Sequence, residues 1–578
     1  GEPADEGWTK SHLSSASGVD SFGRTTMTTL ASRLSAFVIG FALVSVTPDL
    51  NAAEFRGRVV DADTGEPIPA RVYVRDGVGD FHFVTSEEGT AVPYREQWIP
   101  MPTSIERHTT ISAHPFHIEL SPGTYFLEVA RGKEYLPFRA EIQMEDQPVE
   151  KTIELRRWVN PADRGWYSGE THVHRRISEL PNVMLAEDLN VAFPVTFWTI
   201  SADSAPDLSP SPLRRQGPSP FGPRVDRGYE PIDVDDQHVI FPRNTEYEIF
   251  NVGGERHVLG AIFVLNHRSV FQQTAPPVTP IARRAHEEGA LLDLDKHSWP
   301  WSMMLVPVAG IDLFELSNNS VWRTQFGFKS APRHPPTWTD LETEGPNQLT
   351  EWGWLNYGFE IYYALLNCGF RIAPSAGTAS GVHPVPLGYS RVYVHTGNPF
   401  DADKWLAGLK RGRSFVTTGP MLFATVNGTR PGEEIQLKQG RSHHVTVELE
   451  SISERPIDHV EILVNGDVAA RIETDAAPTP SGAWRLVARE SVSVDRTSWI
   501  ALRSTESRAD GRKRFAHTAP WHLTLGDEPI TPVKTQVKYF IDLITDEIDR
   551  NQSILSTEAL QEFSEALRVY KNLASRAE

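Results

Sequence analysis

Three short runs in this chain set ionisable side chains on alternate residues: Glu170-Thr-His172-Val-His174, Asn244-Thr-Glu246-Tyr-Glu248 and Asp293-Leu-Asp295-Lys296-His297. In a strand, residues two apart share a face, so each run would present its carboxylates and imidazoles together. The third run lies among Leu291, Leu292 and Leu294, which marks it as buried. Burying such groups is costly unless an opposite charge satisfies them, and a divalent cation does so. The chemistry this supports is hydrolysis: a bound cation lowers the pKa of its water from 15.7 to about 7 and polarises a carbonyl or phosphoryl oxygen. Cys368 is the only cysteine, which leaves no internal disulfide and no thiolate zinc cluster. Any metal must be held by His, Asp and Glu.

The elements that position these runs can be read from the pattern around them. At 578 residues the chain exceeds one core and divides into several domains. Its net charge of -19 offers no basic surplus to neutralise phosphates, which argues against a nucleic-acid partner. The expected partner is a small-molecule or polymer-derived substrate. Residues 1–26 read as sequence upstream of a start at Met27. Residues 27–53, with Arg33, the apolar run Leu34–Val46 and the exit Asn-Ala-Ala, read as a secretory signal peptide. The protein is therefore expected to be exported, periplasmic or extracellular. No later run is apolar enough for a membrane span.

From 54 to 157 the texture is all-β: Phe55–Val60 alternates, Asp61–Pro67 turns, and Ala70–Val74, Gly123–Val129 and Val149–Leu155 resume strand character. Residues 158–420 alternate apolar strands with helical stretches such as Pro280–Glu288 and Tyr357–Cys368, the texture of an α/β layer or barrel. Within it Ser204–Asp236, rich in Pro, Arg and Gly, reads as a long loop. From 421 to 528 the chain turns β-rich again, with strands expected at Val445–Leu449, Val460–Val464 and Trp499–Ser504. The tail, 529–578, is helical: Val537, Phe540, Leu543, Ile544 and Ile548 recur at three- and four-residue spacing, and a second helix is expected over Thr557–Arg576.

The N-terminal pattern resembles the carboxypeptidase regulatory-like domain, a transthyretin-like β-sandwich, with an insertion around 76–118 that brings His108, His114 and His117. The middle resembles the PHP (polymerase and histidinol phosphatase) superfamily: His172-Val-His174 as its first motif, Asn244-Thr-Glu246 with His257 as later ligand motifs, Asp295-Lys-His297-Ser-Trp-Pro300 as a histidine motif, and Phe314-Glu315-Leu-Ser-Asn318 as the end of the next strand. Arg413–Pro420, running on to Val426-Asn-Gly428, resembles the tail of the carbaryl-hydrolase-like (CehA/McbA) branch. The resemblance implies a multidomain α/β plus all-β protein, whose central distorted (β/α)7 barrel is flanked by the N-terminal sandwich and by a C-terminal β-sandwich with terminal helices. The chain departs from the superfamily where a second motif would end in His but reads Val195-Thr-Phe-Trp198-Thr. It departs again at Gly377-Thr-Ala379-Ser-Gly-Val-His383, where Ala379 stands for an expected Asp.

What the resemblance implies about the site follows. Metal ligands are expected at His172, His174, Glu246 and His297, with His257 next and Glu187, His267 or His383 as substitutes. The cofactor is a divalent ion (Zn, Mn or Fe), one or two in number. Asp295 is the candidate general base or orienting carboxylate, beside His297. Lys296 is expected to point away, as it would in a regular strand. Trp198, Trp299 and Trp301 are candidates for an apolar substrate wall, or core. Arg175 and Arg176 could engage an anionic leaving group or lie at the surface. The expected activity is hydrolysis of an ester, amide, carbamate or phosphoester. The competing reading is a non-catalytic binding or adhesion protein that retains a degenerate barrel.

Overall fold

The computed structural model describes residues 52–97, 104–208, 224–327, 330–439, 442–473 and 476–578. The upstream segment 1–26, and the signal peptide except for its last two residues, lie outside these. Residues 209–223 of the expected loop Ser204–Asp236 do too, and its far end forms a strand, Ile232–Asp235. No described helix is long and apolar enough to cross a membrane.

Alternation shapes the N-terminal module. Strand Ala53–Asp61 buries Phe55 and Val59 and exposes Arg56 and Arg58 between them. It pairs antiparallel with Phe116–Leu120 and parallel with Val149–Leu155. A second sheet runs Ala91–Gln97, Ile105–Ile111, Ala70–Asp76, Gly123–Ala130, Phe138–Met144. Phe55, Val72, Leu127 and Ile153 from the two sheets share one core, which is the face-to-face packing of a sandwich. The insertion is not a free loop. Ala91–Gln97 and Ile105–Ile111 extend the second sheet.

Seven strands close into a barrel at the centre: β1 (Trp166–Val173), β2 (Val191–Ser201), β3 (Asn244–Val252), β4 (Glu255–Leu265), β5 (Leu291–Leu294), β6 (Leu313–Ser317) and β7 (Ala373–Ser380), with β7 pairing back on β1. β1 and β7 are buried at every residue, as strands covered on both faces are. The expected (β/α)7 alternation is not what forms. β4 runs antiparallel to both neighbours, because it follows β3 through the tight turn Gly253-Gly254, both glycines at positive φ. A hairpin of that kind reverses the chain, whereas a parallel neighbour needs a long crossover. Described helices cross over only in four places: α1 (Leu180–Glu187) after β1, α2 (Thr279–Glu288) after β4, α3 (Ser302–Leu305) after β5 and α4 (Glu351–Asn367) after β6.

α4 begins six residues before the expected Tyr357. Gly353 and Gly358 look like helix breakers in sequence, but each sits at a close approach. A Cβ on Gly353 would stand 2.0 Å from the Glu342 carbonyl oxygen, and one on Gly358 3.2 Å from the His297 ring. Thr350 caps the helix, its hydroxyl accepting from the Gly353 amide at 3.0 Å.

β8 (Arg391–His395) pairs with β1, β9 (Ser414–Thr417) pairs with β8, and Lys513–Thr518 pairs with β9. Hydrogen-bonded backbone thus runs from the barrel into the C-terminal sandwich. The expected strands there are Ser498–Ser507, His459–Val464 and His443–Ser453, the last in the opposing four-stranded sheet. The tail forms α6 (Lys534–Asn551) and α7 (Thr557–Ala574) after α5 (Ala402–Arg411). Val537, Phe540, Ile544, Phe563 and Tyr570 join the barrel core. The Glu562 carboxylate accepts from the Val278 and Thr279 amides at 2.9 and 2.7 Å, capping the positive end of α2.

Candidate metal centre

His172 lies near the C-terminal end of β1 and His174 just beyond it. In the parallel pair β1–β7, His172 stands opposite Gly377. A Cβ on Gly377 would sit 2.3 Å from the His172 Cβ and 2.5 Å from Glu315 Oε1, so only glycine lets the imidazole and the β6 carboxylate meet there. The His172 and His174 Nε2 atoms are 3.1 Å apart, and Glu246 Oε2, from β3, lies 3.3 Å from His174 Nε2. All three side chains are buried, with ligand atoms within 4.8 Å of one another.

The other ring nitrogen of His172 faces a second carboxylate set. Its Nδ1 is 3.0 Å from Glu315 Oε1 and 3.7 Å from Asp295 Oδ1. A neutral imidazole has one N–H and one lone pair. With the N–H toward Glu315, the lone pair is on Nε2 and points at His174 and Glu246. This is the arrangement in which a carboxylate orients a metal-binding histidine.

The residues fit a divalent cation. Two nitrogens each 2.0–2.1 Å from one tetrahedral ion lie roughly 3.3 Å apart, close to the spacing found. Glu246 Oε2 and Asp295 Oδ1 are buried and accept no hydrogen bond, a costly state without a counter-charge. Burial, with Glu248 and Asp295 nearby, pushes the Glu246 carboxyl well above its ordinary range. Burial, Asp295 and Asp293 do the same to Glu315. Burial holds His172 down to about 4, so its lone pair is kept near neutral pH. These groups could hold a metal ion.

Several expected residues lie elsewhere. Glu170, expected on one face with the two histidines, accepts instead from the Thr378 and Gly388 amides, the former at 2.7 Å. The register of β1 shifts after Glu170, which ends the strict alternation. His257 sits at the start of β4 against α6, 2.7 Å from Asn551 Oδ1. It faces the helical tail because β4 runs backwards. His297 packs among Tyr357, Trp354 and Phe314. His383 is buried against Trp322. Neither joins the two groups whose ligand atoms converge. Glu187 pairs with Arg71 of the N-terminal module. His267 is satisfied by Thr245 Oγ1 at 2.8 Å and the Ser269 carbonyl at 2.7 Å. His108 lies 2.9 Å from Glu106 and stacks on Tyr94.

Arg175 is buried, paired with Glu179 at 3.1 Å and lying over the Tyr94 ring. Trp198 covers His174, ring centroids 4.3 Å apart, and its indole N–H donates to Glu248 at 3.2 Å. Trp301 is core. Lys296 does not point away. β5 ends at Leu294, so strand alternation no longer governs Asp295 and Lys296. The buried ammonium donates to Asp295 Oδ2 at 3.0 Å and lies 4.1 Å from the Trp299 ring centre. Glu315 is the residue sequence reasoning left out of the ligand set. Its signal was present in Phe314-Glu315-Leu-Ser-Asn318, a carboxylate inside an otherwise apolar strand.

No family model and no curated protein matches this chain. Among solved structures, a two-domain protein from Bacteroides vulgatus, described as containing a predicted PHP-like metal-dependent phosphoesterase, is similar at 10% identity and a TM-score of 0.27. That match covers 62% of this chain and 95% of the other. None of these comparisons reaches the carbaryl-hydrolase-like branch or the carboxypeptidase regulatory-like domain, and a likeness this slight carries no weight for the chemistry.

Proposed function

We propose that this protein is an exported, PHP-like, metal-dependent hydrolase acting on an ester, amide, carbamate or phosphoester. One observation carries the reading: His172 Nε2, His174 Nε2 and Glu246 Oε2 converge, buried, at 3.1 and 3.3 Å spacings. Such a set has no structural use that apolar residues would not serve better. When bound, a divalent ion supplies Lewis acidity and an acidified water. The chain's own groups prepare the site for it. Glu315 accepts from His172 Nδ1–H and so holds the ring in the tautomer that presents Nε2. Asp295 acts as a positioning residue between His172 and Lys296, and Trp198 shields His174 from bulk water. His297 has no part in this set. Export is our reading of residues 27–53.

The test is a screen of ester, amide, carbamate and phosphoester substrates with added Mn2+, Zn2+ or Fe2+, alongside metal analysis of the purified protein. The His172→Ala/His174→Ala variant should lose both metal and turnover. Equal rates in that variant would remove the catalytic assignment. Stoichiometric metal without turnover of any substrate class would favour the binding-protein reading.

A further inference from the structure

Beside the converging histidines lies a second buried group, His172, Asp295 and Glu315, whose ligand atoms also lie within 4.8 Å of one another. Taken alone it is a place for a second ion. Two features of the chain oppose that. The group shares His172 with the first set, and a neutral imidazole has a single lone pair, so serving both groups would require the fully deprotonated ring. The second feature is Lys296. Its side chain is almost wholly buried, its Nζ is 3.0 Å from Asp295 Oδ2, and one face is closed by Trp299 at 4.1 Å. Its charge also reaches Glu248 and Glu315.

We propose that Lys296 is a built-in counter-cation that takes the place of a second metal ion at Asp295 and Glu315, so that the centre holds a single divalent ion at His172, His174 and Glu246. This rests on the metal-centre reading above and deepens it. The charge balance supports it. With Asp295 ionised, the buried ammonium 3.0 Å from its Oδ2 already supplies the counter-charge that a second divalent ion would bring there. The ammonium also leaves His172 Nδ1 its proton, which the contact with Glu315 requires. Lys296 is thus a positioning residue that sets metal stoichiometry, and its role needs no contact with substrate.

The test is metal stoichiometry and Mn2+ spectroscopy on the full chain. The apo protein is titrated with Mn2+, bound metal is counted, and the electron paramagnetic resonance of the loaded protein is recorded. Wild type should bind one Mn2+ per chain and give an isolated-ion signal. Lys296→Gln, which removes the charge and leaves a polar side chain one bond shorter, should admit a second Mn2+, with spin coupling between the two. Lys296→Arg should stay at one. Two ions in wild type, or one in a folded Lys296→Gln at saturating Mn2+, would overturn the inference. Should Lys296→Gln fail to fold, the wild-type count and the uncoupled signal still decide. Wild type binding no ion, the same as the His172→Ala/His174→Ala control, would overturn the metal centre itself, a result distinct from two.

Discussion

Tyr94 of the N-terminal module donates its hydroxyl proton to the carbonyl of Val385 at 2.7 Å, in the loop that follows β7. The same hydroxyl lies 3.2 Å from the His383 carbonyl, and the ring is fully buried beneath Arg175. Arg71–Glu187 and Arg323–Glu106 link the same two modules. The N-terminal sandwich is therefore bonded to the barrel and the loops around it, and Tyr94 and Glu106 of its insertion make two of these contacts.

Tyr94→Phe keeps the ring and removes the hydroxyl, leaving the Val385 carbonyl with a lost buried partner. The expected cost is about 1–3 kcal/mol, read by chemical denaturation. An unchanged midpoint would show that water replaces the contact and that the module is not tied to the barrel at this point.

Gly377→Ala forces a methyl into a space already held by His172 and Glu315. Overpacking of this kind costs roughly 1–3 kcal/mol. Because the displaced groups are the histidine and its orienting carboxylate, metal affinity should fall along with the thermal midpoint. Titration with Zn2+ against a chromophoric chelator separates the two effects.

Glu315→Gln removes the charge opposite His172 Nδ1 while keeping the shape. Loss of such an orienting partner typically weakens metal binding about 10–100-fold. The same competition titration reads it, and wild-type affinity in the variant would mean that Asp295 alone orients the ring.

Metal removal should lower stability as well as activity. An ion that binds only the folded chain contributes about 2.7 kcal/mol at a free concentration of 100 times its Kd. Exhaustive chelation should therefore lower the melting temperature of wild type and leave the His172→Ala/His174→Ala variant where it was.

His517, in the strand Lys513–Thr518, should make stability fall in acid. Its Nδ1–H donates to the Thr518 carbonyl at 2.7 Å and its Nε2 accepts from the Tyr363 hydroxyl at 2.8 Å. Burial holds it down to about 3 against an ordinary 6.5. The unfolded chain therefore takes up a proton that the folded one refuses, and stability is lost as pH drops from about 6.5 towards 3. His522, also pushed down to about 3 by burial and by Arg371, acts in the same direction. Denaturation midpoints across that window should show a shallower slope for His517→Gln, by on the order of a few kcal/mol over the whole range.

Local pattern made much of this molecule legible. Alternation at Phe55–Val60, the three- and four-residue spacing from Val537 to Ile548, and imidazoles two residues apart at His172 and His174 are properties of neighbouring residues. Short-range sterics and burial turn them into strands, helices and a shared face. Convergence is another matter. That Glu246 meets His174, that Glu315 meets His172 across Gly377, and that His257 is carried off to α6 depend on which strands pair and in which direction. The parallel pairing of β1, β2, β3, β6 and β7, the reversal of β4 at Gly253-Gly254 and the end of β5 at Leu294 decided those points. They also turned Lys296 inward and left His297 among aromatic rings. No periodicity in the chain encodes them, because the contacts join residues tens to hundreds of positions apart and are selected only when the whole barrel closes.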